Sequence, residues 1–232
     1  VSYQFLLFDL DHTLLDFASD EESALTTLLV EAGVSNIAAY KAYYIPMNQA
    51  LWQDLSAGLI TKKELIDTRF AKLFAHFGQE VDGQDMAERY QHFLSQEGHV
   101  FPGVRDFLQT LREQGYHLFG ATNGVTYIQK GRLAQSQLVS FFDHVFISDE
   151  LGAHKPEKAF FAHIANTIPG FEAQKALMIG DSLLADIKGG QDSGIDTIWY
   201  NPENHANTTS VTPTYIAQNY QDILDIIRRG SC

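Results

Sequence analysis

Three apolar runs of this chain end in residues that can do chemistry. The run over 3–8 passes into Asp9-Leu10-Asp11-His12-Thr13, two carboxylates separated by one residue. The run over 116–121 ends in Thr122-Asn123-Gly124, and the run over 176–179 ends in Gly180-Asp181-Ser182, with Asp186 one helical turn further on. Lys155, ahead of Pro156, sits at the start of a helical segment. Taken singly, each has a bland reading: a polar turn or N-cap for the D-x-D pair, a turn for Thr122, a solvated charge for Lys155, an N-cap for Asp181. As an ordered set at three strand ends they are hard to obtain by chance. In open parallel sheets ligands bind beyond the carboxyl ends of strands. Carboxylates, a hydroxyl and an ammonium gathered there suit an anion held beside a cation.

The elements that position these residues follow from hydrophobic periodicity. Segments 3–8, 116–121, 144–147, 176–179 and 196–200 are short, continuous and apolar, as strands buried on both faces are. Between them the pattern is helical: from Val104 to about Gln114, then 127–137, 156–167, 185–193 and 220–229. This alternation predicts an α/β fold, a Rossmann-like wound parallel sheet. Residues 19–99 break it. There the spacing predicts helices near 20–32, 38–55, 61–77 and 84–96, the third opened by the capping box Thr61-Lys62-Lys63-Glu64. Leu65, Ile66, Arg69, Phe70, Leu73, Phe74 and Phe77 share one face of it. The expected organisation is a core of residues 1–18 and 100–232, interrupted by an all-helical insertion of the four-helix-bundle type over 19–99. Residues 201–213 are polar and read as a surface loop.

The chain has 232 residues with 45% hydrophobic composition, enough for one α/β domain with an insertion. Its 16 basic and 29 acidic residues give a net charge of −13, which argues against a nucleic-acid partner. The single cysteine, Cys232, allows no intrachain disulfide. No apolar run reaches the roughly 18 residues of a membrane span. No basic segment precedes an apolar one at Val1-Ser2-Tyr3-Gln4, so no signal peptide is expected. A soluble cytoplasmic protein, monomeric or weakly dimeric, is the expectation.

In their order, Asp9-Leu10-Asp11-His12-Thr13, Thr122, Lys155 and Gly180-Asp181 with Asp186 resemble the four motifs of the haloacid dehalogenase (HAD) superfamily of aspartate-nucleophile phosphotransferases. The insertion resembles that family's helical cap of the C1 type. A finer resemblance is to the pyrimidine 5′-nucleotidase subgroup. It is carried by Leu15-Asp16-Phe17, Leu51-Trp52, Glu64-Leu65 with Arg69-Phe70, Thr122-Asn123-Gly124-Val125 with Gln129, and Trp199-Tyr200-Asn201-Pro202.

The resemblance implies a Mg²⁺-dependent phosphomonoesterase acting on a small phosphomonoester through an aspartyl phosphate. Asp9 would be the nucleophile and a metal ligand. Asp11 would give its backbone carbonyl to the metal and its side chain as general acid and base. Asp181 would be the acidic metal ligand, with Asp186 in support. Thr122, the Asn123 backbone N–H and Lys155 would hold phosphoryl oxygens, and Phe17 would border the leaving group. Physical logic agrees: a phosphomonoester repels an anionic nucleophile, a lysine and a divalent cation offset that repulsion, and oxygen-only ligands suit Mg²⁺.

Rival readings remain. A sugar phosphate or phosphoglycolate phosphatase, or a sugar phosphomutase, uses the same machinery. Dehalogenases of the superfamily lack the second aspartate that is present here as Asp11. Phosphonate hydrolysis needs an imine-forming cap lysine, and Lys41, Lys62, Lys63 and Lys72 have no assigned place near a substrate carbonyl. Outside enzymology, a phospho-aspartate signalling module uses a similar residue set, and an idle binding protein could share the fold. The nine histidines show no zinc-type spacing. P-loop, dinucleotide and serine-hydrolase signatures are absent from the sequence. Trp52 and Phe70 are further aromatics that could meet a base, though helical aromatics more often pack in the core.

Overall fold

The computed structural model describes residues 2–230. Cys232 lies outside that range. The apolar runs form β1 (Phe5–Phe8), β2 (His117–Thr122), β3 (His144–Ile147), β4 (Ala176–Gly180), β5 (Asp196–Tyr200) and β6 (Tyr215–Ala217). They make one parallel sheet in the order β3-β2-β1-β4-β5-β6. The fold class is the wound α/β arrangement expected. Chain order reverses beside β1: β2 and β3 extend one way, β4 to β6 the other. The ends of β1, β2 and β4 therefore lie side by side, about 4.8 Å apart from strand to strand, at the crevice such sheets use for ligands.

The helices are α1 (Phe17–Glu31), α2 (Ile37–Ser56), α3 (Lys62–His76), α4 (Gly83–Ser95), α5 (Val104–Glu113), α6 (Thr126–Ser136), α7 (Ser148–Leu151), α8 (Lys158–Thr167), α9 (Lys188–Asp192) and α10 (Tyr220–Arg229). Side chains alternate across a strand, and β1 shows it. Leu6 and Phe8 pack with Phe107 and Leu111 of α5 and Ile227 of α10, while Phe5 and Leu7 pack with Phe160 and Ile164 of α8. A third core lies among α1 to α4, where Leu25, Leu28, Tyr44, Phe70, Leu73 and Tyr90 are buried together. Among the described residues no helix is long and apolar enough to cross a membrane.

Several boundaries differ from the sequence reading for local reasons. The first helix starts at Phe17 because Asp16 caps it, its Oδ1 accepting from Ser19 N at 3.1 Å. Phe17 is thus a helical residue rather than a loop residue. The helix expected over 185–193 divides into a π-type turn, Leu183–Ile187, followed by α9. The edge strand β6 escapes an apolar-run search because it has three residues and Ile216 is exposed. Thr61 does cap α3, its Oγ1 accepting from Glu64 N at 3.1 Å. Two chain crossings join the helical layer to the sheet side by side: Asp16 N donates to His99 O at 3.0 Å, and Phe101 N to Leu14 O at 3.3 Å.

Candidate active site

Asp9 follows β1 directly, and its backbone N–H donates to Ile179 O of β4 at 2.9 Å. Its carboxylate is met by Lys155, which is 1% exposed. The ammonium donates to Asp9 Oδ1 at 2.7 Å, to Asp186 Oδ1 at 2.6 Å and to the Ala121 carbonyl at 2.6 Å. All three of its donors are used, so the lysine is fixed. Asp186 is itself held, Oδ2 accepting from Ser182 N at 3.0 Å. Gly180 makes this possible, because a Cβ there would run into the Asp186 carboxylate.

Thr122 ends β2, 1% exposed. Its hydroxyl oxygen accepts from Gly124 N at 3.0 Å and from Gln129 Nε2 at 2.8 Å. Two acceptances leave its own O–H free to donate to a ligand. Asn123 clasps the Lys155 backbone: Nδ2 donates to Lys155 O and Oδ1 accepts from Lys155 N, both at 2.8 Å. The side chain thus locks the lysine loop, and the backbone N–H of Asn123 remains for an oxyanion.

Asp11 sits in a second network. Its Oδ2 accepts from Gln129 Nε2 at 2.9 Å, and its Oδ1 pairs with Arg132 Nη1. Arg132 is fully buried and also donates from Nε to Asp20 Oδ2 at 2.6 Å. Asp20 in turn accepts from His99 N at 2.9 Å. Gln129 and Arg132 lie three residues apart on α6, hence on one face. A Cβ at Gly124 would meet Gln129 at 2.5 Å, so the glycine lets this side chain lie against the loop. Phe17 borders the same place, its ring centroid 5.3 Å from that of His12 and 5.3 Å from Arg132 Cζ.

Electrostatics follow from crowding. Burial pushes the Asp9 carboxyl well above its ordinary range; Lys155 pulls it back, while Asp186, Asp181 and Asp11 push it up. Burial and then Asp186 raise Asp181 to about 7. Burial works against the Lys155 ammonium, but Asp186 and Asp9 outweigh it and hold the group above its usual value. Asp9, Asp181 and Asp186 each offer an oxygen within 4.8 Å of the others. Three carboxylates against one ammonium leave an excess of negative charge that a hard cation relieves. Oxygen-only donors of this kind fit Mg²⁺.

The structure thus brings Asp9, Lys155, Asp181 and Asp186 together, with Thr122 and Asn123 at the neighbouring strand end and Asp11 on α6 side chains. Trp52 and Phe70 pack elsewhere: Trp52 against Leu51, Leu55 and Leu65, and Phe70 stacked on Tyr44 at 5.2 Å. Of the lysines in the helical layer, Lys62 reaches the sheet side, but it donates to Gly124 O at 2.8 Å, Ser148 Oγ at 3.1 Å and Asp149 Oδ1 at 2.5 Å. Lys41 and Lys63 pair with Glu22 and Asp67. Sequence reasoning passed over Arg132, Trp199 and Tyr220 as site supports. Trp199 Nε1 donates to the Asp181 carbonyl at 2.9 Å, and Tyr220 Oη to the Thr13 carbonyl at 2.7 Å. Arg132 carries one legible signal, a basic residue three positions after Gln129 on the helix face that also holds Ile128 and Leu133. Trp199 stands in the Trp199-Tyr200-Asn201-Pro202 run quoted above, but neither its partner nor that of Tyr220 follows from sequence, since both partners are distant along the chain.

Residues 6–200 match the family of haloacid dehalogenase-like hydrolases. The chain belongs to that family. This hydrolase is 56% identical to the pyrimidine 5′-nucleotidase PynA of Streptococcus pneumoniae over 98% of this chain and 96% of that one. It is 26% identical to the pyrimidine 5′-nucleotidase YjjG of Escherichia coli over 98% and 99% of the two chains. Among solved structures, the HAD-hydrolase YfnB of Bacillus subtilis, crystallised with magnesium, superposes with a TM-score of 0.93 at 38% identity, covering 98% of this hydrolase and 99% of YfnB. The L-2-haloacid dehalogenase of Xanthobacter autotrophicus shares the fold at a TM-score of 0.77 and 15% identity, covering 97% and 98%.

Proposed function

We propose that this hydrolase removes phosphate from pyrimidine nucleoside 5′-monophosphates, with residues 19–99 acting as a cap over a core of 1–18 and 100–232. The observation that carries the chemistry is the Asp9–Lys155–Asp186 cluster at the ends of β1 and β4. The substrate class is supported by the whole-length similarity to PynA.

In this reading the Asp9 carboxylate attacks phosphorus and the bond from phosphorus to the ester oxygen breaks. The departing oxygen takes a proton by way of Asp11, whose Oδ2 must first give up its bond from Gln129, releasing the nucleoside and leaving phosphate on Asp9. Asp11, now ionised, takes a proton from water as that water attacks the same phosphorus. Phosphate leaves and Asp9 is restored. Thr122 Oγ and the Asn123 N–H bind the phosphoryl oxygens, and Lys155, held by Asp9, Asp186 and the Ala121 carbonyl, supplies positive charge beside them. Gln129 and Arg132 hold the Asp11 carboxylate. Asp9 and Asp181, with the Asp11 backbone carbonyl, would hold Mg²⁺, and Asp186 keeps Lys155 in place. The ion supplies charge neutralisation at the phosphoryl oxygens when bound.

Groups that touch only phosphate cannot tell a nucleotide from a sugar phosphate, so the choice falls to the helical layer and Phe17. Base–aromatic stacking is worth about 1–3 kcal/mol, which corresponds to roughly 5–150-fold in kcat/KM. Phosphate release from a panel of compounds with Mg²⁺ tests the assignment. Uridine and thymidine monophosphates are expected to exceed hexose phosphates and phosphoglycolate. A sugar phosphate better than every nucleotide by about tenfold defeats the nucleotidase reading and leaves a phosphatase of other specificity.

A further inference from the structure

A second polar cluster lies inside the helical layer. Glu21 of α1, Asn48 of α2 and Arg69 of α3 are each less than a tenth exposed. Asn48 joins them: its Nδ2 donates to Glu21 Oε1 at 3.1 Å and its Oδ1 accepts from Arg69 Nη1 at 3.4 Å. The Arg69 guanidinium lies 5.3 Å from the ring centre of Phe70 and 5.0 Å from that of Tyr90. Its Nε has no hydrogen-bond partner, nor do the hydroxyls of Tyr44 and Tyr90 in the same cluster. Buried polar groups are ordinarily paired, and an unspent donor on a charged group is a standing cost. A network built only to tie three helices together would gain by satisfying it.

Its position relates it to the strand ends. Phe17 and Glu21 are one turn apart, on one face of α1. Phe17 touches His12 of the loop that carries Asp9 and Asp11. The charges of His12 and Asp11 reach Glu21. Helix α2, which bears Asn48, packs on the segment 183–187 that follows Asp181. The cluster is thus the polar part of the layer next to the place where the phosphorylated oxygen is released.

We propose that Glu21, Asn48 and Arg69 form the recognition site for the pyrimidine ring of the leaving nucleoside. This rests on the nucleotidase reading and deepens it. Uracil, thymine and cytosine all carry a carbonyl at C2, an acceptor for the unspent Arg69 N–H. The amide of Asn48 offers a donor and an acceptor, so it can meet either the N–H at position 3 of uracil or the bare nitrogen of cytosine. Adenine has no carbonyl and offers Arg69 only a ring nitrogen, a different placement of acceptor on a larger ring system. A site with buried polar groups rejects a ligand that cannot pair with them.

Steady-state kinetics of Asn48→Ala and Arg69→Lys with UMP, AMP and p-nitrophenyl phosphate test it. The ratio of kcat/KM for UMP over p-nitrophenyl phosphate is expected to fall about tenfold or more in each variant, mainly through KM, and the preference for UMP over AMP to narrow similarly. A ratio that stays level, whether both activities persist or both decline together, overturns the proposal and leaves the cluster a structural tie. Should either variant fail to fold, competition by uridine against p-nitrophenyl phosphate decides. Uridine is expected to inhibit the unsubstituted enzyme competitively and Glu21→Gln about fivefold less well. No inhibition, or equal inhibition of both, overturns the site. An unsubstituted enzyme without pyrimidine preference brings down this site and the nucleotidase reading together. A preference that survives the substitutions sinks this site alone.

Discussion

At the strand ends Lys155 spends all three donors, on Asp9, Asp186 and the Ala121 carbonyl. In the helical layer Arg69 donates to Asn48 and keeps Nε unpaired. Both cations are buried, yet one is fully spoken for and the other is not. The first cluster hangs on backbone that the parallel sheet holds in register, Phe8 opposite both Gly120 and Ile179. The second hangs on side chains from three helices whose relative packing is its only frame. Chemistry that must place a nucleophile within a fraction of an ångström belongs on the rigid frame. Recognition of a leaving group tolerates, and uses, unspent bonding capacity.

Breaking the rigid cluster should have the largest effect. Asp9→Asn keeps the shape but removes the proposed nucleophile, and turnover should drop by about 10⁴-fold or more with an unchanged melting temperature. Phosphate-release assays and thermal melts of the purified variant check this. Next comes the metal: chelation should abolish activity and added Mg²⁺ restore it. Asp181→Ala should raise the Mg²⁺ concentration for half-maximal rate by at least about tenfold, since a direct carboxylate donor is lost.

Substitution of Arg132 sharpens the comparison at the border between the clusters. Arg132→Lys keeps the charge but loses the fork that bonds Asp11 and Asp20 at once. A nucleoside leaves poorly without a proton, whereas p-nitrophenol leaves readily. Activity on UMP should therefore fall roughly 10-fold more than activity on p-nitrophenyl phosphate, and equal losses would contradict the positioning role.

The smallest effect concerns stability in the helical layer. Burial raises Glu21 to about 7 from 4.5, against the pull of Arg69, Asn48 and His12 and with a push from Asp11. The folded state then binds the proton more tightly than the unfolded state. Stability conferred by this group is present below pH 4.5 and is lost as pH rises towards 7, by roughly 3 kcal/mol at most. Glu21→Gln should flatten that part of the profile, as measured by denaturant unfolding between pH 5 and 8.

Much of this was legible in sequence because it is local or strand-bound. Apolar runs located the five principal strands, and residues just past them, Asp9, Thr122 and Asp181, had to share one edge of a parallel sheet. Thr61 announced α3. The partners of those residues were harder. Asp11 meets Arg132 across a separation of 121 residues, and Asp181 is steadied by Trp199 through a backbone carbonyl. Neither contact follows from periodicity or motif. The start of α1 depended on whether Asp16 turned inward to cap, and β6 on an edge with an exposed Ile216. Arg69 was placed correctly on the buried face of α3, but only packing revealed that its guanidinium keeps a donor unspent.

In the proposed mechanism phosphate passes through Asp9. Acid quenching of the enzyme during turnover of UMP with Mg²⁺, followed by peptide mapping, tests this, and Asp11→Asn given p-nitrophenyl phosphate, whose leaving group needs no proton, should slow breakdown enough to accumulate the intermediate. Phosphate is expected on the peptide bearing Asp9, labile to hydroxylamine and absent from Asp9→Asn. Turnover with no covalent phosphate in either enzyme, or phosphate on another residue, would contradict it.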